Sequence, residues 1–294
     1  MPVIDIHEHV IPRRGFLHPA RKETICTPDE MVGIMDKHDI DKAVVLPLTS
    51  PETFSFVQSV EEAFEACDRY PDRFIKFCNV DPRLDRNSLD YDFVPILEYY
   101  KSLGAKGIGE VTCNLWWHDR RLHNLLRGCN EVGFPFIFHV AWREYDMYGI
   151  ISRPGLPGLE EALQKYPNIT FLGHSPGWWS EVAGELTPTE RQGYPKGKIK
   201  PGGRVPELMR KYPNMWGDLS AGSGYNAVTR DPEWGYQFLE EFQDKLLMGL
   251  DCCYPSNDEC PLMGFLREAV AKGKISQHAF DKIMGENAVK LLGL

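Results

Sequence analysis

Short runs of β-branched and aromatic residues alternate along the whole chain with longer amphipathic stretches. This alternation restricts the fold more than any other feature of the sequence. The candidate strands are PVIDI, AVVLPL, FIKFCNV, AKGIGEV, PFIFHV, NITFLGHS, MWGDLS and KLLMGLD, eight in all. Between them lie stretches of helical period such as SFVQSVEEAFEACDRY, RRLHNLLRGCNEVG and GYQFLEEFQDK, several closed by Gly or Pro, as helix ends are. From one residue near each strand's end (His7, Leu48, Val80, Glu110, His139, His174, Ser220, Asp251) the steps are 41, 32, 30, 29, 35, 46 and 31 residues. A strand, a helix and two short loops occupy about 30 residues. Eight such units predict an α/β fold of the (β/α)8 barrel type, with two extra helices from CPLMGFLREAVAKG to the C-terminus. No linker divides the chain, so residues 1–294 are expected to form a single barrel domain. The competing architecture, an open doubly wound sheet, normally carries a glycine-rich phosphate turn after its first strand, where this chain reads HEHVIPRRG.

Two of the steps are long. The loops VIPRRGFLHPARKETICTP and PGWWSEVAGELTPTERQGYPKGKIKPGG have no strand character. At the C-terminal rim of a barrel, such loops serve as lids or binding loops.

Composition narrows the partners. A net charge of −9 and a pI near 5.5 argue against nucleic acid, which needs a basic surface. No apolar run approaches the about 20 residues that span a bilayer, and the start VIDIH lacks the pattern of a secretory signal. The expected setting is the cytoplasm, with a small molecule as substrate and a homo-oligomer as the ordinary assembly. The eight cysteines are scattered and form no C-x-x-C pair, so reduced thiols are expected rather than disulfides or a cysteine zinc site.

The chemistry gathers at the strand ends. Residues two apart on a strand share a face, so His7 and His9 in DIHEH both point into the barrel mouth and make a chelate for a divalent cation. His139 ends the fifth strand, His174 the sixth and Asp251 the eighth. Several imidazoles and a carboxylate on one rim, with a position left for water, make a catalytic site rather than a sealed structural one. Zn2+ is the first expectation and Mn2+ the second, as one ion or two.

In the combination of IDIHEHVIP, FHV, LGHS, MGLD and the terminal IMGENAVKLLGL, the chain resembles the amidohydrolase superfamily. Within it the resemblance is to the amidohydrolase 2 group, related to aminocarboxymuconate-semialdehyde decarboxylase. The resemblance covers essentially the whole chain. It implies that His7, His9 and His139 bind metal, and that His174 is a second-metal ligand or polarises the substrate. Asp251 would ligate metal and act as general acid/base. Glu110, in KGIGEV, departs from the single-metal pattern and resembles a glutamate that bridges two metals; its alternative role is to hydrogen-bond a histidine ligand.

The expected activity is metal-dependent hydrolysis of a small ester, lactone or amide. The alternatives are non-oxidative decarboxylation of a small aromatic or muconate-like acid, or a barrel that only binds its ligand. Arg143 and Arg13 (or Arg14) are candidates for gripping a substrate carboxylate, and Trp178, with Trp179, for an apolar pocket wall.

Overall fold

The computed structural model describes all 294 residues. The strands are β1 (Ile4–Glu8), β2 (Lys42–Val45), β3 (Phe74–Lys76), β4 (Ile108–Val111), β5 (Phe136–Ala141), β6 (Ile150–Ile151), β7 (Phe171–His174), β8 (Met215–Asp218) and β9 (Leu246–Leu247). β1, β2 and β3 pair in parallel, and so do β4, β5, β7, β8 and β9. Hydrogen bonds join the two sheets at both seams. At one seam, Lys106 N–H donates to the Lys76 carbonyl (2.8 Å) and Gly109 N–H to that of Cys78 (3.0 Å). At the other, Ile6 N–H donates to Met248 O (3.0 Å) and Asp251 N–H to His7 O (2.9 Å). The result is the expected eight-stranded barrel. β6 is additional: in the loop that leaves β5 it pairs with that strand and, at Ile151, bridges Trp116 in the segment after β4.

Ordinary local chemistry sets the helices between the strands. Thr27 and Glu30 form a reciprocal cap ahead of Pro28–Lys37, with Pro28 at the first helical position, where its missing N–H costs nothing. Asp119 caps Arg120–Val132, and Gly133, in the left-handed region, ends that helix.

The barrel interior is a small apolar plug of Ile4, Ile6, Val44, Leu46, Ile75, Phe77, Ile137, Leu172 and Leu247, to which the last helix adds Ala288 and Leu292. That C-terminal segment also fills the lower part of the β9–β1 seam: Met248 N–H donates to Ile283 O (3.1 Å), and Asn287 Nδ2 to Leu246 O (2.8 Å).

Strict alternation would put Ile4 and Ile6 on one face of β1 and His7 and His9 on the other. The pairing resolves the conflict. Asp5 faces Ala43 and Glu8 faces Val45, so three steps of β1 match two of β2. A bulge of this kind re-aims the strand, so that apolar residues face inward below it and imidazoles above it.

Candidate metal centre

Each imidazole is aimed by a partner on its Nδ1. His7 Nδ1 lies 2.6 Å from Asp218 Oδ2, His9 Nδ1 2.9 Å from the Leu46 carbonyl, and His139 Nδ1 2.7 Å from Glu110 Oε1. A carboxylate or carbonyl oxygen can only accept, so all three Nδ1 atoms carry protons, and in the neutral rings Nε2 is left as a lone-pair donor. His174 Nδ1 sits 3.0 Å from Ser220 Oγ and 3.4 Å from the same Asp218 oxygen, which favours the same tautomer.

The Nε2 atoms of His7 and His9 stand 3.3 Å apart, both buried. Two lone pairs facing each other at this distance need a positive charge between them. Asp251 Oδ1 completes a triangle, 3.7 Å from His7 Nε2 and 3.5 Å from His9 Nε2. Ligands about 2.1 Å from a tetrahedral ion stand about 3.4 Å from one another, so the triad fits a divalent cation. His7, Glu110 and His174 form a second potential triad that shares His7. Glu110 Oε2 faces His7 Nε2 (3.8 Å) and His9 Nε2 (3.7 Å), while Oε1, besides holding His139, lies 3.7 Å from His174 Nε2. The carboxylate therefore spans the two groups while its Oε1 also holds the His139 ring.

Electrostatics point the same way. Burial works against a proton on His7, but Asp251, Asp218 and Glu110 outweigh it and raise its pKa well above the ordinary value. Burial and the adjacent His7 push that of His9 down. Burial alone would raise Glu110, yet His139 and His7 hold it well below the usual carboxylate range. Without a metal the cluster captures a proton at His7. A cation that binds there displaces it.

Asp251 sits at φ 60°, a left-handed conformation tolerated best by Asn and Asp. The bond from its N–H to His7 O holds it there, and the turn points its carboxylate back over the histidines. Oδ2 lies 3.6 Å from His174 Nε2, so the expected acid/base and the expected second ligand or polarising group flank one position. Above them the mouth opens into two lobes. A cavity of about 820 Å³ has Asp251 in its lining, and one of about 280 Å³ is lined by His139, His174 and Asp251. Tyr148, Tyr194 and Ala221 line both. The two long loops contribute as expected, the first with His18 and Arg21 and the second with Gln192 and Tyr194.

Not every expected residue converges. His139 belongs to neither triad, but Glu110 holds its Nδ1, which leaves Nε2 free, and the ring lines the smaller lobe beside His174 and Asp251. Arg143 is exposed and bonds the carbonyls of its own loop, Tyr145 O at 2.8 Å and Asp146 O at 3.3 Å. Arg13 opens onto a separate cavity of about 160 Å³ beside Phe16 and Phe56, because the chain after β1 buries Ile11 against Leu48 and Tyr254. Arg14 pairs with Glu30 at 2.5 Å. Trp178 is fully buried outside the barrel, packed on Phe138 and on Gly173, where any side chain would collide with its ring. It is core rather than pocket wall, because Gly173 faces outward while His174, the next residue on β7, faces the mouth. Asp5 accepts the backbone N–H of His7 and of Leu250, tying β1 to the end of β9 instead of touching the His7 ring. Two contributors were not anticipated: Asp218, an acid at the end of an otherwise apolar strand, and Tyr148, one of three aromatic residues in WREYDMY.

Among solved structures the chain is similar to a probable 2-pyrone-4,6-dicarboxylic acid hydrolase from Acinetobacter baumannii, with citric acid bound: TM-score 0.60, 16% identity, 100% of each chain covered. It is similar also to an amidohydrolase from Burkholderia multivorans with bound zinc, at TM-score 0.62 and 11% identity, again over 100% of each chain. A third is 2,6-dihydroxybenzoate decarboxylase from Rhizobium, at TM-score 0.54 and 12% identity, with 99% of this chain and 98% of that one covered. No curated protein matches. The family model described as amidohydrolase matches residues 4–294, and the chain belongs to that family.

Proposed function

We propose that the protein is a metal-dependent hydrolase of a small ester, lactone or amide. The observation that carries this reading is the His7–His9–Asp251 triangle, with sides of 3.3, 3.5 and 3.7 Å, whose Asp251 lines the cavity at the barrel mouth. The residues that would hold the ion are His7, His9 and Asp251, with Glu110 and His174 placed to hold or share a second. His139, held by Glu110 through Nδ1, offers Nε2 as a further ligand. Zn2+ is the ion proposed first, in keeping with the zinc-bound relative; Mn2+ is the alternative. A divalent cation at these donors supplies Lewis acidity, which makes water a nucleophile near neutral pH and polarises a carbonyl.

The chain's own groups do the rest. Asp251 accepts the proton that the attacking water loses, then returns it to the leaving oxygen or nitrogen as the carbon–heteroatom bond breaks. His174, across from it, keeps its Nε2 lone pair for a second ion. Tyr148 and Tyr194 wall the approach. The hydrolase from Acinetobacter baumannii is consistent with such chemistry on this fold.

A second reading draws on the same pair of groups. Asp251 and His174 stand where a proton could be delivered to a ring carbon while the bond to a carboxylate breaks and CO2 leaves. The Rhizobium decarboxylase supports it.

One set of measurements tests both readings. Metal analysis of the purified protein should find one or two divalent ions per chain, and a panel of aryl esters and lactones should be hydrolysed with loss of activity on chelation. Asp251→Asn should lower the rate by about 10³-fold. CO2 release from hydroxybenzoates without ester or lactone turnover would select the decarboxylase, and a metal-free chain would sink both.

A further inference from the structure

The loop WREYDMY, residues 142–148, returns to the barrel on a single glycine. Gly149 has φ 115° and donates its N–H to Thr112 O at 2.7 Å, and the next residue, Ile150, pairs with Val140 on β5. A Cβ at Gly149 would lie 2.9 Å from His139 Cδ2, His139 O and Ala141 N, so only glycine lets the chain cross so close to His139. Inside the loop, Trp142 N–H donates to Met147 Sδ at 3.2 Å. The crossing seats the Tyr148 ring 4.4 Å from that of His139, where both lobes share it. Its hydroxyl is uncommitted. Tyr70, Tyr100, Tyr166 and Tyr212 each donate to another residue of the chain, whereas the Tyr148 hydroxyl has no such partner and its side chain lines the pocket.

Hydrolysis calls for a donor of this kind. As the bond from water to the carbonyl carbon forms, the carbonyl π pair moves onto its oxygen, and that oxygen becomes an anion to be stabilised. The imidazoles cannot donate to it. The Nδ1 protons of His7, His9 and His139 are held by Asp218, Leu46 O and Glu110, and with an ion bound their Nε2 atoms carry lone pairs. The Cys253 thiol faces Asp251 Oδ1 at 3.6 Å. Four residues line both lobes: Asp251, Ala221, Tyr148 and Tyr194. Asp251 begins as the proton acceptor, and Ala221 N–H is already given to Leu250 O at 3.1 Å. That leaves the tyrosines, of which Tyr148 is the one packed on His139.

We propose that the Tyr148 hydroxyl donates a hydrogen bond to the carbonyl oxygen of the substrate, one that strengthens as this oxygen becomes an anion, and that Tyr148 keeps its proton throughout. The inference rests on the hydrolase reading and adds a catalytic residue to it. Its test uses the metal-loaded chain with phenyl acetate as substrate and phenyl methylphosphonate as a tetrahedral anion that mimics the hydrolysis of that ester. Tyr148→Phe keeps the ring and removes only the donor. It should lower kcat about 100-fold with KM little changed, and weaken phosphonate binding, read by calorimetry, by a similar factor. Its metal content should match that of the unaltered chain. A ring that serves only as a wall predicts that the variant matches the unaltered chain in both readouts, which overturns the proposal, as does a loss of kcat found in Tyr194→Phe and not in Tyr148→Phe. The phosphonate separates this from failure of the hydrolase reading. Weaker phosphonate binding in Tyr148→Phe, with no ester or lactone turned over by the unaltered chain, overturns the reaction and supports the donor. Turnover with equal phosphonate affinity in the two chains overturns the donor, and a chain that binds no metal overturns both.

Discussion

Asp218 is fully buried, and one of its oxygens lies against the Nδ1 atoms of both His7 and His174. An amide in its place can put its oxygen where that one lies only by turning its NH2 toward the Ser220 N–H that the other carboxylate oxygen accepts at 2.9 Å. Asp218→Asn should therefore weaken metal binding by 10–100-fold, read by competition with a chromophoric chelator, with an unchanged circular-dichroism spectrum. Full retention of affinity would show that the shared carboxylate aims neither ring. At this scale His7, His9 and Asp251 were legible because each ends a strand and carries the chemistry itself. Asp218 was not, because reading the strand as MWGDLS moved its end to Ser220 and left the acid unassigned. The arginines misled for a related reason. Whether a guanidinium in a loop faces the pocket or its own backbone, as Arg143 does, is decided by the fold of the loop, which has no periodicity to read.

Between helices the same balance of charge has a pH signature. Glu160, on the helix Pro157–Lys165, gathers Arg204, Lys211 and the Tyr212 hydroxyl from the helix Arg204–Lys211 and the residue that follows it. Hydrogen bonds from Lys211 and Tyr212 and the charge of Arg204 outweigh partial burial and bring its pKa down from 4.5 to about 2. A depressed carboxylate stabilises the folded chain above the unfolded pKa, and that contribution disappears as pH falls from about 4.5 toward 2. Because the group is half-buried and still reached by solvent, about 1 kcal/mol is at stake. Urea melts should show the native chain losing that much more stability than Glu160→Gln between pH 5.5 and 2.5; parallel curves would remove the argument. All eight barrel strands were visible as β-branched runs at regular intervals, although most proved shorter than their apolar runs. The two-residue β6 is too short to leave a pattern. The bulge in β1 was hidden for another reason: it is set by register against β2, a fact about two segments that neither one contains.

For the molecule as a whole, the cost of the site is concentrated charge. His7, Glu110 and Asp218 are buried, and Asp251 is nearly so. A cation that binds only the folded state should repay part of that cost. At a free concentration about 1,000-fold above Kd it adds roughly 4 kcal/mol, so chelation should lower Tm by about 10 °C, reversed by Zn2+ or Mn2+. An unchanged melting curve after demonstrated metal removal would mean that the carboxylates and the His7 proton already balance. The barrel itself was readable from spacing alone, and no helix is long and apolar enough to cross a membrane.

The seam between β9 and β1 links the fold to the order in which the chain is made. Its lower half is closed by Ile283 and Asn287 and its upper half by Asp251 and Cys252, so the chain through Asn287 must leave the ribosome before the seam beside β1 is complete. Until then the His7–His9 pair waits on an open strand edge, the kind of surface that chaperones guard, and the proposed cation site cannot assemble before that edge is covered.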